Sequence, residues 1–349
     1  MAKILVTGTA GFIGMHTALK LSKEGHVVVG VDNLNEYYDV NLKYGRLAEQ
    51  GILKDDIVYN KKVTSASGAI SFVQLGLEDK EALKAVFDKE GFDYVIHLAA
   101  QAGVRYSLEN PDAYVESNVT GFLNLIENCR NYKIKHLVFA SSSSVYGLNV
   151  VVPFQEIHPT EHPVSLYAAT KKANEMMAHA YAHLFDIPMT GLRFFTVYGP
   201  WGRPDMALFK FTKNIIAGKP IDVYNHGKME RDFTHVEDIV DGVVKAMGNV
   251  PKKGSTVGDS NLKTNESTAP YAIYNIGNSK PVNLMDFIHA LEEALDKKAD
   301  INFMPMQAGD VERTYADTSA LHSAVNYAPK RRIREGIQSF VDWYLAFYS

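Results

Sequence analysis

The 349-residue sequence predicts an α/β protein, a doubly wound parallel sheet followed by a smaller mixed α/β C-terminal lobe. Three observations carry that expectation. Short β-rich apolar runs alternate with amphipathic helical stretches through the first half. Gly8, Gly11 and Gly14 punctuate the first strand-to-helix junction. From about Gly199 the alternation stops and the segments become shorter and more mixed.

Lys3–Thr7 reads as the first strand and Phe12–Glu24 as a helix that Gly25 ends. A second buried strand covers His26–Val31. Val73–Leu75 and Tyr94–Leu98 follow, separated by a helix over Glu78–Lys89. Helix Asp112–Tyr132, strand His136–Ala140, helix Ser165–Phe185 and strand Met189–Phe194 complete the alternation. Beyond it, helices are expected over Asp205–Ala217, Val236–Met247, Leu284–Leu295 and Ile333–Tyr348, with strands at Ile221–Val223 and Tyr271–Ile276. The polar stretch Lys252–Ala269 reads as a surface loop. The expected division is residues 1–198 for a nucleotide, with later segments returning, and 199–349 for a substrate.

The totals exclude several classes. Lysine plus arginine number 36 against 40 acids, a net charge of −4, so no basic excess points to nucleic acid. The first apolar run is too short for a leader or a membrane span, which makes the cytoplasm the expected location. The lone Cys129 cannot form an internal disulfide and fits a reducing compartment. His179/His183 and His158/His162 repeat a four-residue spacing, but no cysteine or carboxylate cluster joins them, so no metal is expected.

Thr7–Gly14 lies where a Rossmann-type fold holds a pyrophosphate. Gly8 permits the tight turn, Gly11 lets backbone approach the phosphates, and Gly14 lets helix and strand pack closely. Phe12 and Ile13 open the helix whose N-terminus faces the anion. Asp32, 18 residues past Gly14, sits with Asn33 at the end of the second strand. Its carboxylate suits an adenosine ribose and repels a 2′-phosphate. The first cation beyond it is Lys43, so the expected cofactor is NAD rather than NADP.

Two tyrosines have lysine four residues on, Tyr167–Lys171 and Tyr224–Lys228. The second pair is in a turn. The first is on a helix, where such residues share a face. An ammonium there can hold a nicotinamide ribose and lower the pKa of the phenol, which makes Tyr167 a usable base. Ser142, in the run Ser141–Ser144 that ends a strand, is placed to polarise the reacting hydroxyl. Alternation along an extended chain would point Ser144 the same way.

With these parts assembled, the sequence resembles the extended short-chain dehydrogenase/reductase superfamily, and within it the nucleotide-sugar epimerases that act on UDP-glucuronate. The strings His97–Arg105, Phe194–Pro200, Gly202–Met206 and Arg231–Val236 carry the resemblance over nearly the whole length. It implies cofactor contacts at Leu77, Leu98, Ala99, Ala100 and Asn118. It implies substrate contacts at Arg105, Ser143, Ser144, Thr196, Arg203, Met206, Arg231 and Asp310, with Arg231 at the UDP diphosphate. A homodimer built on helices Asp112–Tyr132 and Ser165–Phe185 is also implied. Relatives often carry Asp at the position of Gly76, where it contacts adenine, and the Leu34–Thr64 segment is long. Related dehydratases carry Asp-Glu where this chain has Ser143-Ser144, so elimination of water lacks its acid and base.

The implied reaction is a 4-epimerisation through a 4-keto sugar. Tyr167 takes the 4-hydroxyl proton while hydride moves to NAD⁺ and later returns to the opposite face. A 4-keto uronate is a β-keto acid prone to losing CO₂. Ser143, Ser144, Thr196 and Arg203 are expected to hold its carboxylate out of alignment. UDP-glucose epimerisation, UDP-glucuronate decarboxylation and a non-catalytic NAD-binding scaffold are the competing readings.

Overall fold

The computed structural model describes residues 1–254, 267–306 and 312–348. The chain divides into two compact units. The first is Met1–Asn149 with Glu156–Arg193 and Val240–Tyr274. The second is Val150–Gln155 with Phe194–Ile239 and Asn275–Ser349. The chain passes from the first unit to the long middle segment of the second between Arg193 and Phe194. Residues 255–266 of the expected surface loop lie outside the described residues.

The first unit is built on one large sheet. Its strands are β1 (Lys3–Thr7), β2 (Val27–Asp32), β3 (Lys62–Thr64), β4 (Ile70–Gln74), β5 (Tyr94–His97), β6 (His136–Ser142), β7 (Met189–Phe194) and Tyr271–Ile276. The last of these lies at one edge, and the order continues β7-β6-β5-β1-β2-β4-β3. β1 pairs in parallel with β2 and β5, β2 with β4, and β5 with β6, while the short edge strand β3 runs antiparallel to β4. Leu5, Val29, Val31, Val73, Val95, Leu137 and Phe139 are buried on this sheet beneath Leu83, Phe87, Phe122, Leu125 and Cys129 of the helices. Both faces of a parallel sheet are covered, which is why these strands read as nearly continuous apolar runs.

Helices α1 (Phe12–Lys23), α2 (Val40–Glu49) and α3 (Lys80–Glu90) connect the first strands. Asp39 and Asp79 cap α2 and α3 by accepting from Asn41 N and Ala82 N. Helix α2 was not expected within Leu34–Thr64. Its buried face mixes Leu42 and Leu47 with Lys43 and Arg46, so the apolar period is broken.

The expected helix Asp112–Tyr132 is interrupted. It runs as an α turn over Pro111–Tyr114, a π turn over Val115–Thr120, and an α-helix over Gly121–Asn131. A π turn inserts a residue without a sequence signature, so periodicity cannot reveal it. Strand β6 continues to Ser142, after which Ser143–Tyr146 tightens into a 3₁₀ turn.

The second unit contains three two-stranded pairings. Thr196–Tyr198 lies parallel to Phe233–His235, Ile221–Val223 parallel to Ile301–Phe303, and Glu230–Arg231 antiparallel to Val282–Asn283. Helix Ala207–Ile216 packs with Ile221–Val223, Leu284–Leu295 with Val282–Asn283 and Ile333–Tyr348 with Phe233–His235, and a shorter helix covers Ser319–Val325. Both tryptophans of the chain, Trp201 and Trp343, join Phe209, Phe340 and Phe347 in one aromatic cluster.

Candidate active site

The glycine turn is formed by close backbone approach. Gly8 has φ +79°, and a β-carbon there would lie 2.8 Å from Ala99 N. A β-carbon on Gly14 would lie 1.9 Å from Gly8 O, so only glycine lets α1 start this near the strand. A β-carbon on Gly11 would meet the same oxygen at 2.8 Å. Helix α1 begins with Gly11 as its N-cap, no side chain caps it, and no acid lies in its first turn, which Phe12 and Ile13 open. Its free N–H groups and positive dipole end suit a pyrophosphate.

The ends of the neighbouring strands extend this cradle. Asp32 closes β2, and its Oδ1 accepts from Leu34 N at 2.9 Å. Asn33 accepts from Asn35 N. After β5, Leu98 N and Ala99 N both donate to Thr7 Oγ1, at 3.2 and 3.1 Å, and Ala100 follows. His97 Nδ1 lies 2.8 Å from the same hydroxyl. Burial, with Lys171 nearby, pushes its pKa down to about 3, so it stays neutral.

Two cofactor expectations change in detail. Lys43 is distant from Asp32 in sequence, yet α2 returns it to 4.0 Å from Asp32 Oδ1, almost fully buried. It donates to Asn35 Oδ1 at 2.8 Å. Counting cations along the chain missed it because the intervening helix folds back. Asp32 remains beside it to disfavour a 2′-phosphate. Asn118, on the π turn, is committed inside the protein. Its Oδ1 accepts from Gln101 N at 2.8 Å, and its Nδ2 donates to Gln101 O and Thr170 Oγ1. It fastens the loop after β5 to the helix that carries Tyr167.

Helix Leu166–Phe185 starts at Ser165, which accepts from Ala168 N, and presents Tyr167 and Lys171 one turn apart. The Tyr167 ring meets Tyr114 edge-to-face at 6.1 Å. Lys171 is buried, and its Nζ donates to Ala140 O at 2.9 Å, at the end of β6. Desolvation brings its pKa down to about 8. Ser142 Oγ accepts from Ser144 N and donates to Ser144 Oγ, each at 3.2 Å. These two side chains are neighbours because Ser142 caps a 3₁₀ turn, not because an extended strand alternates. Ser143 is half-buried in the same turn.

Behind them lies a network that sequence reasoning did not find. Arg193 on β7 grips Glu175 by two bonds, Nε to Oε1 at 2.9 Å and Nη2 to Oε2 at 3.0 Å. Glu175 Oε1 also accepts from Ser141 Oγ at 2.6 Å, and Arg193 Nη1 donates to Tyr146 OH at 3.1 Å. Burial opposes the charge on Glu175, but the guanidinium holds its carboxyl below the usual range. The only sequence signal was Glu175 lying one further turn beyond Lys171.

Arg105 is exposed at the start of the short helix Tyr106–Glu109. In the second unit, Thr196 N donates to Asp232 O at 3.2 Å, and Met206 precedes helix Ala207–Ile216. Arg203 forms a bidentate pair with Asp205, so its charge is already partly answered. Arg231 donates to the carbonyls of Glu230 and Glu312, both at 3.0 Å. Asp310 lies outside the described residues. Among the described residues no group of three or more His, Cys, Asp or Glu side chains could hold a metal, and no helix is long and apolar enough to cross a membrane.

The pattern of the NAD dependent epimerase/dehydratase family matches residues 4–277. The chain belongs to that family. Among similar members is a probable UDP-glucuronate 4-epimerase of Rhizobium meliloti, 45% identical over 343 residues, covering 98% of this chain and 96% of that one. UDP-glucuronate 4-epimerase 1 of Arabidopsis thaliana is 46% identical over 350 residues, covering 99% of this chain and 77% of that one. Among solved structures, the Bacillus cereus UDP-glucuronic acid 4-epimerase with UDP-glucuronic acid and NAD is similar at TM-score 0.84 and 30% identity, over 99% of this chain and 100% of that one. The cofactor of the family is NAD, and the uncapped α1 terminus, the close-packed glycines and Asp32 fit it in this chain.

Proposed function

We propose that the protein is a UDP-glucuronate 4-epimerase that keeps its NAD through the reaction. The observation that carries the reading is the pairing of a dinucleotide cradle with Tyr167 one helical turn from the buried Lys171. Held at this cradle, NAD would supply a reversible hydride acceptor for C4 of the sugar. Tyr167 removes and returns the proton of the 4-hydroxyl, and Ser142 orients that hydroxyl. Lys171, positively charged below about pH 8, draws the phenol toward its ionised form. Asn118 is a positioning residue, since its amide is used within the protein.

Two half-buried serine hydroxyls, Ser143 and Ser144, are proposed to hold the C6 carboxylate. This fixes the C5–C6 bond away from the carbonyl π system, so that the 4-keto sugar survives until it is reduced. Thr196, Arg105 and Met206 are proposed as further sugar contacts, and Asp310 is retained in that set. Arg203 would have to share its fork between Asp205 and the substrate. Arg231 is assigned to the diphosphate because a planar guanidinium offers several donors in a fork that suits phosphate oxygens. A cytoplasmic homodimer completes the reading.

Proton NMR of the product made from UDP-glucuronate, without added NAD, tests it. UDP-galacturonate is expected. A UDP-pentose with CO₂ would make the enzyme a decarboxylase. Turnover of UDP-glucose alone would assign it to the neutral sugar.

A further inference from the structure

Just past the end of β4 a glycine is covered by the side chain of a later residue. Leu75-Gly76-Leu77 follows β4, and Gly76 has no side chain to offer a ligand. The space above its α-carbon is nevertheless filled. A β-carbon built on Gly76 would lie 1.9 Å from Glu78 Oε1 and 2.6 Å from Oε2. The Glu78 side chain therefore folds back over the glycine and puts a carboxylate where a side chain of residue 76 would begin. A glycine is needed here for Glu78 to do so.

The sheet order says what this carboxylate faces. β1, β2 and β4 are adjacent in that sequence. A dinucleotide whose pyrophosphate rests at the α1 N-terminus, after β1, and whose ribose meets Asp32, after β2, carries its base onward to the end of β4. Asp32 pairs with Gln74 across the sheet, and Leu75 N donates to Asp32 O at 3.1 Å, so Gly76 is the next step in that direction. The backbone there is pinned, since Asn124 Nδ2 donates to Leu77 O and Glu78 O. The neighbouring acid, Asp79, is occupied by Ala82 N at 3.0 Å and Tyr59 OH at 2.7 Å. The Glu78 carboxylate has no hydrogen-bond or ion-pair partner among the described residues.

We infer that Glu78, lying over Gly76, reads the adenine of bound NAD by accepting a hydrogen bond from its exocyclic amino group. The inference rests on the NAD reading above. Adenine offers a donor at that position, whereas hypoxanthine offers a carbonyl oxygen that a carboxylate repels. A site built around a charged acceptor at the 6-position disfavours an analogue whose donor has moved to the ring N1.

The test is competitive retention. Purified protein is exchanged at length with an equimolar mixture of NAD and nicotinamide hypoxanthine dinucleotide. Free ligand is then removed, and the retained dinucleotides are separated and counted. The native protein should retain NAD over the analogue by about tenfold or more. Glu78→Ala should bring the ratio within about twofold of unity. Glu78→Gln, which supplies both a donor and an acceptor, should raise retention of the analogue to near that of NAD. Gly76→Asp combined with Glu78→Ala should restore the preference, because the shorter acid then has the space that Glu78 vacated. An unchanged ratio in Glu78→Ala would overturn the inference while leaving NAD binding intact. Failure of the native protein to retain either dinucleotide would overturn the cofactor reading as well.

Discussion

Lys171 shows most clearly how burial is used at a single residue. Its ammonium is enclosed, with Ala140 O as its hydrogen-bond acceptor, and its pKa falls from 10.5 to about 8. That shift is a penalty on the folded state of about 3 kcal/mol at neutral pH. The unfolded chain holds this proton up to about pH 10.5, the folded chain only to about 8. Between those values the unfolded state binds more protons, so this group's contribution to stability improves as pH rises. The melting temperature of the native protein, measured relative to Lys171→Met, should therefore climb from pH 8 to 10. A flat difference would mean that Lys171 is not desolvated. At pH 7 the variant should be at least as stable as the native protein but about 10²-fold or more slower in turnover. Stability is given up at this residue for a charge beside Tyr167.

Between elements, the site depends on how helix Leu166–Phe185 is fixed to β6 and β7. Glu175 and Arg193 supply that fixture, with Ser141 and Tyr146 bonded to its two ends. Removing one partner leaves a buried charge unanswered and costs about 3–5 kcal/mol. Glu175→Leu and Arg193→Met should each lower the urea midpoint sharply, and the double variant should recover much of the loss. Strictly additive losses would show that the two charges do not act as a pair.

Much at this scale was legible in the sequence. The glycine turn, Asp32, and the helix holding Tyr167 and Lys171 lie where apolar periodicity and turn chemistry put them. What escaped depends on folding back rather than on local pattern. Lys43 reaches Asp32 through a helix whose buried face is partly polar. The π turn carrying Asn118 preserves composition and changes only the register. Glu78 looks like an ordinary helix-start acid until its side chain is seen over Gly76. Arg203 and Asp205 are two residues apart, close enough that their pairing could have been anticipated.

For the molecule as a whole, the proposed dimer makes a claim about exposed apolar side chains, which it would cover. Val115 and Leu123 on the helical stretch after β5, and Met176 and Leu184 on the Tyr167 helix, are all exposed in the single chain. Large apolar residues grouped on exposed helices are characteristic of interfaces. Sedimentation should give twice the chain mass, and Met176→Glu should shift the population to monomer. A native protein that sediments as a monomer would remove the dimer from the account.

The central claim is that the hydrogen leaving C4 of the sugar is the one that returns to it. UDP-glucuronate deuterated at C4, converted in ordinary water without added NAD, tests this directly. The account predicts UDP-galacturonate with the deuterium still on C4, observed by NMR and mass spectrometry. Product carrying solvent hydrogen at C4, or a pentose formed with release of CO₂, would contradict it.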